Sequence, residues 1–225
     1  MSFTSIVKNE ISKVSVLNTG KIAELSAIFR NIANVDDKKI KIIIENASVA
    51  RRIFSLVKDL YGINSKITVR KGYNFKKSYL YILEINSKIE EILNDLSIYE
   101  NGKYLILPKS YLIDDDELMR NYLRGLFMAC GSVNDPKKSR YHLEFSVEGE
   151  NYAKFISNLL NTYDLNSKII KRETKYMVYI KEAEKIGDFL RIIEANNAVL
   201  YYEDIRIYRD HKNMTNRLNN CEQAN

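Results

Sequence analysis

Apolar residues return at helical spacing in three stretches of this chain and at alternating spacing in others. Val49, Ile53, Leu56 and Leu60 fall on one helical face, as do Tyr152, Phe155, Ile156, Leu159 and Leu160. A third such face carries Ile186, Phe189, Leu190 and Ile193. Tyr141, Leu143, Phe145 and Val147 point one way along a strand while His142, Glu144, Ser146 and Glu148 point the other. Lys66, Thr68 and Arg70 alternate in the same manner with Ile67 and Val69. Each half of the chain reads as a helix, a second helix, a strand, a helix, two strands and a final helix, which predicts an α+β fold with antiparallel sheets.

The halves read as copies of one another. Tyr61-Gly62-Ile63-Asn64-Ser65-Lys66-Ile67 aligns with Tyr163-Asp164-Leu165-Asn166-Ser167-Lys168-Ile169 at an offset of 102. Tyr79-Leu80-Tyr81-Ile82 faces Met177-Val178-Tyr179-Ile180 at an offset of 98, so the intervening loops are expected to differ by four residues. One repeat is expected over residues 1–98 and a second over 114–210. The segment 99–113 reads as the linker, with Asn101-Gly102 as a turn and Pro108 as a breaker, and 211–225 as the start of a connector.

Within each repeat one helix carries small residues a turn apart, Ala23 and Ala27 in the first and Gly125 and Ala129 in the second. That spacing lets two helix backbones approach each other closely. Gly131 is expected to end the second of these helices, with Ser132-Val133-Asn134-Asp135-Pro136 as the turn after it. The run from Tyr122-Leu123-Arg124-Gly125-Leu126-Phe127-Met128-Ala129-Cys130-Gly131 onward resembles a LAGLIDADG-type helix, and residues 23–33 resemble its partner copy. The resemblance implies two such helices packed at a pseudo-two-fold axis. It also implies an Asp or Glu at the penultimate motif position, binding a divalent cation that activates water for phosphodiester cleavage. Here those positions hold Ile32 and Cys130. A hydrocarbon ligates nothing, and a soft thiol is a poor ligand for hard, oxygen-seeking cations. No catalytic residue, metal site or cofactor is therefore expected.

Beyond that motif the chain is similar to the WhiA family. The likeness is carried by Ser2-Phe3-Thr4, Ala50-Arg51-Arg52, residues 123–136, Tyr141-His142-Leu143-Glu144-Phe145 and the closing run from Asn216-Arg217-Leu218 to Asn225. The resemblance implies a transcription regulator acting in sporulation or cell division, with a degenerate two-repeat LAGLIDADG region followed by a DNA-reading helix-turn-helix. No second helix-turn-helix pattern follows within these residues. Double-stranded DNA is the implied partner, mainly through that downstream domain, with another transcription protein as a candidate.

Composition is in keeping with this. At 45% hydrophobic, 225 residues can bury one large or two coupled cores, and no segment has the uninterrupted apolar length of a membrane span. Lys8, Glu10 and Lys13 break any signal-peptide pattern, and two cysteines, Cys130 and Cys221, exclude a disulfide framework and a CxxC zinc site. A cytoplasmic, nucleoid-associated protein is expected. The 35 basic and 29 acidic residues leave +6, a mild excess compatible with nucleic acid.

In active relatives of the motif the two sheets form a saddle over DNA, so the polar sheet face is where cations count. Lys66 and Arg70 in the first repeat, with Lys71, Lys76 and Lys77 beside Tyr73 and Phe75, are answered by Lys168, Lys171, Arg172 and Lys175 in the second. Glu45, Glu84, Glu144, Glu148 and Glu173 oppose them if they share that face. Cys130 reads as a packed small residue, since no Lys or His is near it in sequence. His142 and His211 read as surface or hydrogen-bonded groups, and Asp36, Asp37 and Asp135 as turn residues. Three functions remain: a DNA-binding regulator with a catalytically dead scaffold, an active LAGLIDADG endonuclease, and a pure protein-interaction module.

Overall fold

The computed structural model describes residues 1–36, 38–72, 79–138 and 140–224. In the first repeat α1 (Phe3–Ile11) and α2 (Asn18–Ile32) precede the hairpin of β1 (Ala33–Asp36) and β2 (Lys39–Ile44). Next come α3 (Ala47–Tyr61), β3 (Lys66–Lys71), β4 (Tyr79–Ile85) and α4 (Ile89–Asp95). A small hairpin of β5 (Tyr99–Glu100) and β6 (Lys103–Tyr104) and a 3-10 turn (Ser110–Leu112) lead to α5 (Asp116–Cys130). The second repeat continues with β7 (Gly131–Val133), β8 (Leu143–Val147), α6 (Glu150–Asn161), β9 (Lys168–Arg172), β10 (Lys175–Ile180), α7 (Ala183–Ile192) and α8 (Asn196–Ala224).

Local chemistry sets the helix ends. The Asn46 side chain accepts from the amides of Ser48 and Val49 to start α3, which stops at Gly62 with φ +69°. Asp115 accepts from the Leu118 amide to start α5. The apolar face read at Val49, Ile53 and Leu56 is buried, as are Tyr152, Ile156, Leu159 and Leu160 of α6.

Each repeat builds a four-stranded antiparallel sheet of the same order, β1-β2-β4-β3 and β7-β8-β10-β9. Strands β1 and β7 leave directly from the ends of α2 and α5, which pack along each other at the centre. The edge strands β3 and β9 are consequently the outermost. Residues 121–128 of α5 are all buried, and α2 is buried in the same way from Ala23 to Phe29, so these helices are enclosed on every side. Gly125 is the point of closest approach: a Cβ built there would lie 2.9 Å from the Glu24 carbonyl carbon and 3.0 Å from its Cα. Ala23 and Ala27 are fully buried, whereas Ala129 stands half-buried at the open end of the pair.

Several sequence expectations are corrected. Two strands, not one, follow each central helix; β1 and β7 are four and three residues long, too short for their alternation to stand out in the sequence. Residues 131–133, expected as a helix stop and turn, form β7, and Gly131 is extended at φ −79° and ψ 148°. Among the described residues no α-helix precedes α5 as α1 precedes α2; a 3-10 turn stands there. The boundary expected at residue 210 falls inside the continuous helix α8.

Register also corrects the repeat alignment. Leu83 lies opposite both Ile42 and Ile67, and Val178 opposite both Phe145 and Ile169. Leu83 therefore corresponds to Val178 at an offset of 95 rather than 98, and the first hairpin is seven residues longer, not four. An odd shift exchanges the faces of a strand: Tyr81 lies on the helix side and Tyr179 on the opposite side.

Candidate nucleic-acid interface

Strand partners directly opposite one another share a face, so register tells which side chains line the surface away from the helices. In the first sheet Ile40, Ile42, Leu83 and Ile85 are buried against the helices. The other face carries one row of Asn34, Lys41, Glu84 and Lys66, with Arg70 two rows along and Lys39 at the near end. Lys39 reaches Glu84 at 3.5 Å, so three lysines gather about one carboxylate. In the second sheet the corresponding row is Ser132, Glu144, Tyr179 and Lys168, with Arg172 and Lys175 opposite each other further along. His142 Nε2 donates to the Glu144 carboxylate at 2.8 Å and the ring stacks on Tyr179, while the Lys181 ammonium lies 4.9 Å over the Tyr179 ring.

Lys66, Arg70, Lys168 and Arg172 thus all stand on helix-distal faces, but in two separate pairs at the outer edges rather than in one cluster. Lys171 does not join them. The pleat turns it to the helix side, where its ammonium sits 5.9 Å over the Tyr176 ring. Lys71 is turned away in the same sense, sharing the face of Tyr79. Lys76, Lys77, Tyr73, Phe75 and Asp37 lie outside the described residues. Asp36 and Asp135 act as turn residues, each accepting backbone amides two residues on. Lys39, Lys41 and Lys181 are additions to the sequence reading; the Lys39-Ile40-Lys41-Ile42 alternation was the signal for the first two.

Between the sheets, where α2 and α5 end, the side chains close a hydrogen-bonded circuit. The Asn31 amide donates to the Ala27 carbonyl at 2.7 Å and to the Tyr152 hydroxyl at 3.0 Å, and Tyr152 pairs with the Tyr122 hydroxyl at 2.9 Å. The Cys130 thiol contacts the Leu126 carbonyl at 3.5 Å and Asn31 Oδ1 at 3.7 Å. Burial pushes this thiol up to about 12, and Lys8 and Lys175, distant in sequence, pull against it. Burial likewise pushes Lys8 down to about 8, opposed by Cys130. At Cys130 burial thus outweighs two nearby cations, and Lys8, far away in sequence, does lie near it. Thiol reagents at pH 8 should label exposed Cys221 rapidly and Cys130 only on unfolding. Equal labelling rates in a timed mass-spectrometric assay would show that the helix ends are open.

Two family models match this geometry. One, described as the WhiA N-terminal LAGLIDADG-like domain, covers residues 18–99, and the other, the WhiA LAGLIDADG-like domain, covers 119–212. The chain belongs to the WhiA family. "Probable cell division protein WhiA" of Staphylococcus haemolyticus (strain JCSC1435) is 43% identical over 229 residues, spanning 100% of this chain and 73% of the relative. The same figures hold for the Staphylococcus aureus (strain USA300) protein of that name. Among solved structures, full-length DUF199/WhiA from Thermatoga maritima has a TM-score of 0.73 at 21% identity, covering 100% of this chain and 75% of that one. The homing endonuclease I-DmoI in complex with DNA and Mn has a TM-score of 0.51 at 15% identity, covering 79% and 97%. These likenesses establish the WhiA and homing-endonuclease fold, two LAGLIDADG-like units with antiparallel sheets.

The fold thus implies a divalent metal at the helix ends, and this WhiA-family chain does not fit one. Ile32 and Cys130 offer a hydrocarbon and a half-buried thiol, with Lys8 and Lys175 adding positive charge beside Cys130. Among the described residues no group of three or more His, Cys, Asp or Glu side chains could hold a metal ion. No described helix is long and apolar enough to cross a membrane.

Proposed function

We propose that this chain is a DNA-binding transcription regulator of the WhiA type, cytoplasmic and nucleoid-associated, serving cell division or sporulation. Its two sheets act as a catalytically silent LAGLIDADG scaffold that meets the DNA backbone. The observation that carries this is the pairing of helix-distal cations on both sheets with Ile32 and Cys130 at the acid positions. I-DmoI, whose fold this chain shares, is a DNA complex, which supports DNA as partner. Mixed charge on the faces, with Glu84, Glu144 and Glu148 beside the lysines, favours weak backbone binding, and base reading is assigned to a helix-turn-helix of the family kind.

The purified chain should bind duplex DNA with an affinity that falls steeply with salt, alike for all sequences. Replacing Lys66, Arg70, Lys168 or Arg172 by Ala should lower the salt slope by about one each. Incubation with Mg²⁺ or Mn²⁺ should leave the duplex intact. Chelator-sensitive cutting would restore the endonuclease reading; absence of binding at low salt would leave a protein scaffold. A second reading, docking of another transcription protein, is favoured by Tyr104, Ile106, Leu107 and Tyr111, which expose apolar surface on the segment between the repeats.

A further inference from the structure

The two repeats also differ where β7 turns into β8. Nine residues, 134–142, join these strands, against two between β1 and β2. The longer connection carries Lys137, Lys138 and Arg140, all exposed. Its described residues, 134–138 and 140–142, are tied down at several points. The Asn134 amide donates to the His142 carbonyl at 2.9 Å, and the Asn134 side chain to the Arg140 carbonyl at 2.9 Å. From α8, Arg209 donates to the Pro136 carbonyl at 2.6 Å and lies 4.7 Å over the Tyr141 ring, and Tyr201 reaches Asp135 at 3.5 Å.

This loop separates two clefts. On one side a cleft of about 1090 Å³ opens among α1, the start of α3 and β7, with Lys8, Arg51 and Lys138 in its lining. On the other, a cleft of about 590 Å³ runs along α8, with Lys137, Arg209 and Lys212. Among the described residues Lys8, Arg51, Lys137, Lys138, Arg140 and Lys212 have no carboxylate partner. Nearby acids are engaged elsewhere: Asp135 accepts the Lys137 amide, and Glu203 is bound by Arg206 and Arg191. Asp210 lies 3.9 Å from Arg206, and Glu45 is the one carboxylate, besides Asp135, lining the larger cleft.

We infer that Lys137, Lys138 and Arg140 of this loop and the face of α8 that reaches Asn216 form a second phosphodiester-binding surface, a basic track that carries duplex DNA from the sheet face past the loop and along α8. Cations without carboxylate partners beside a backbone braced at Asn134, Pro136 and Arg140 suit the neutralising of phosphates, and Lys137, 5.1 Å over the Tyr201 ring, is already placed before the ligand arrives. Amides of Asn213 and Asn216 in the same cleft add neutral donors of the kind that contact phosphate and sugar. The inference rests on the proposed DNA binding, and the same experiment separates the two.

The test uses the 225-residue chain and a random-sequence duplex of about 30 base pairs, titrated with salt. A track variant (Lys137→Ala, Lys138→Ala, Arg140→Ala, Lys212→Ala) is compared with a sheet variant (Lys66→Ala, Arg70→Ala, Lys168→Ala, Arg172→Ala). All four track side chains are exposed, so circular dichroism and the urea midpoint should not change. The track variant should bind at least about tenfold more weakly at low salt, with the salt slope reduced by about three or more. A photo-crosslinker at position 138 or 212 should capture DNA in the parent chain. If the track variant binds like the parent and neither position crosslinks, the track is overturned while sheet binding stands. If only the track variant loses affinity, the track holds and the sheet reading fails. No binding by the parent chain overturns both.

Discussion

Gly125→Ala should destabilise the chain by about 3 kcal/mol, the upper part of the usual range for overpacking, with Gly125→Leu costing more. The reason is that a methyl at this position meets backbone. It would lie 2.9 Å from the Glu24 carbonyl carbon and 3.0 Å from the Glu24 Cα, and closer still to the carbonyl oxygen. A flexible side chain could turn aside; α2 can respond only by moving away from α5, loosening two helices that are enclosed on every side. Urea denaturation of the parent and variant checks this. A midpoint shift equivalent to under about 0.5 kcal/mol, the level of an ordinary surface substitution, would mean that the helices do not cross here.

Arg124→Ala should cost about as much or more, roughly 3–5 kcal/mol, because it breaks a buried ion network from one side. Glu24 is fully buried and accepts from Arg52 at 2.8 and 3.0 Å, with Arg124 Nη1 3.8 Å away. Arg124, itself 1% exposed, also pairs with Glu194 at 2.9 Å and donates to the Ile193 carbonyl at 3.2 Å and to Asn121. The network ties α2 and α3 of the first repeat to α5 and the end of α7 in the second. Burial lowers the Arg124 pKa, opposed by Glu24 and Glu194. Replacing Glu24 and Arg124 together by Met should cost less than the sum of the single changes, since the pair is then removed from both sides and Arg52 loses Glu24 in the single and double variants alike. A double-mutant cycle by urea denaturation gives the coupling; additive effects would remove the network as a link between repeats.

Both results depend on contacts that sequence reading touched unevenly. Gly125 was legible as a close-approach residue because a glycine one turn from an alanine in an apolar helix has few other uses. Its counterpart surface was not, since nothing local marks Glu24 backbone as the neighbour. Arg124 and Glu24 read as ordinary charges on helices, and only enclosure of both helices turned them into a buried pair. In the candidate interface, the alternation of Lys66 and Arg70 with Ile67 and Val69 put the pair correctly on one face. The same alternation also separates Lys171 from Lys168 and Arg172, and grouping all three by proximity in sequence overrode it.

By itself the sequence determined the duplicated α+β plan, the small residues of the central helices and the presence of Ile32 and Cys130 where the motif it resembles carries acids. Each of these is written in local period or in residue identity at one motif position, and neither depends on what packs opposite. Tertiary structure alone decided the offset of 95 in the last strands, which face Tyr81 and Tyr179 occupy, and the arrival of Lys8 and Lys175 beside Cys130. It also decided that Lys137 and Lys138 border clefts completed by α1 and α8. Strand register joins residues up to 45 positions apart and helix docking brings Gly125 to Glu24, 101 positions away, while a one-residue change in register reverses every side chain on a strand, so no local pattern can carry that information.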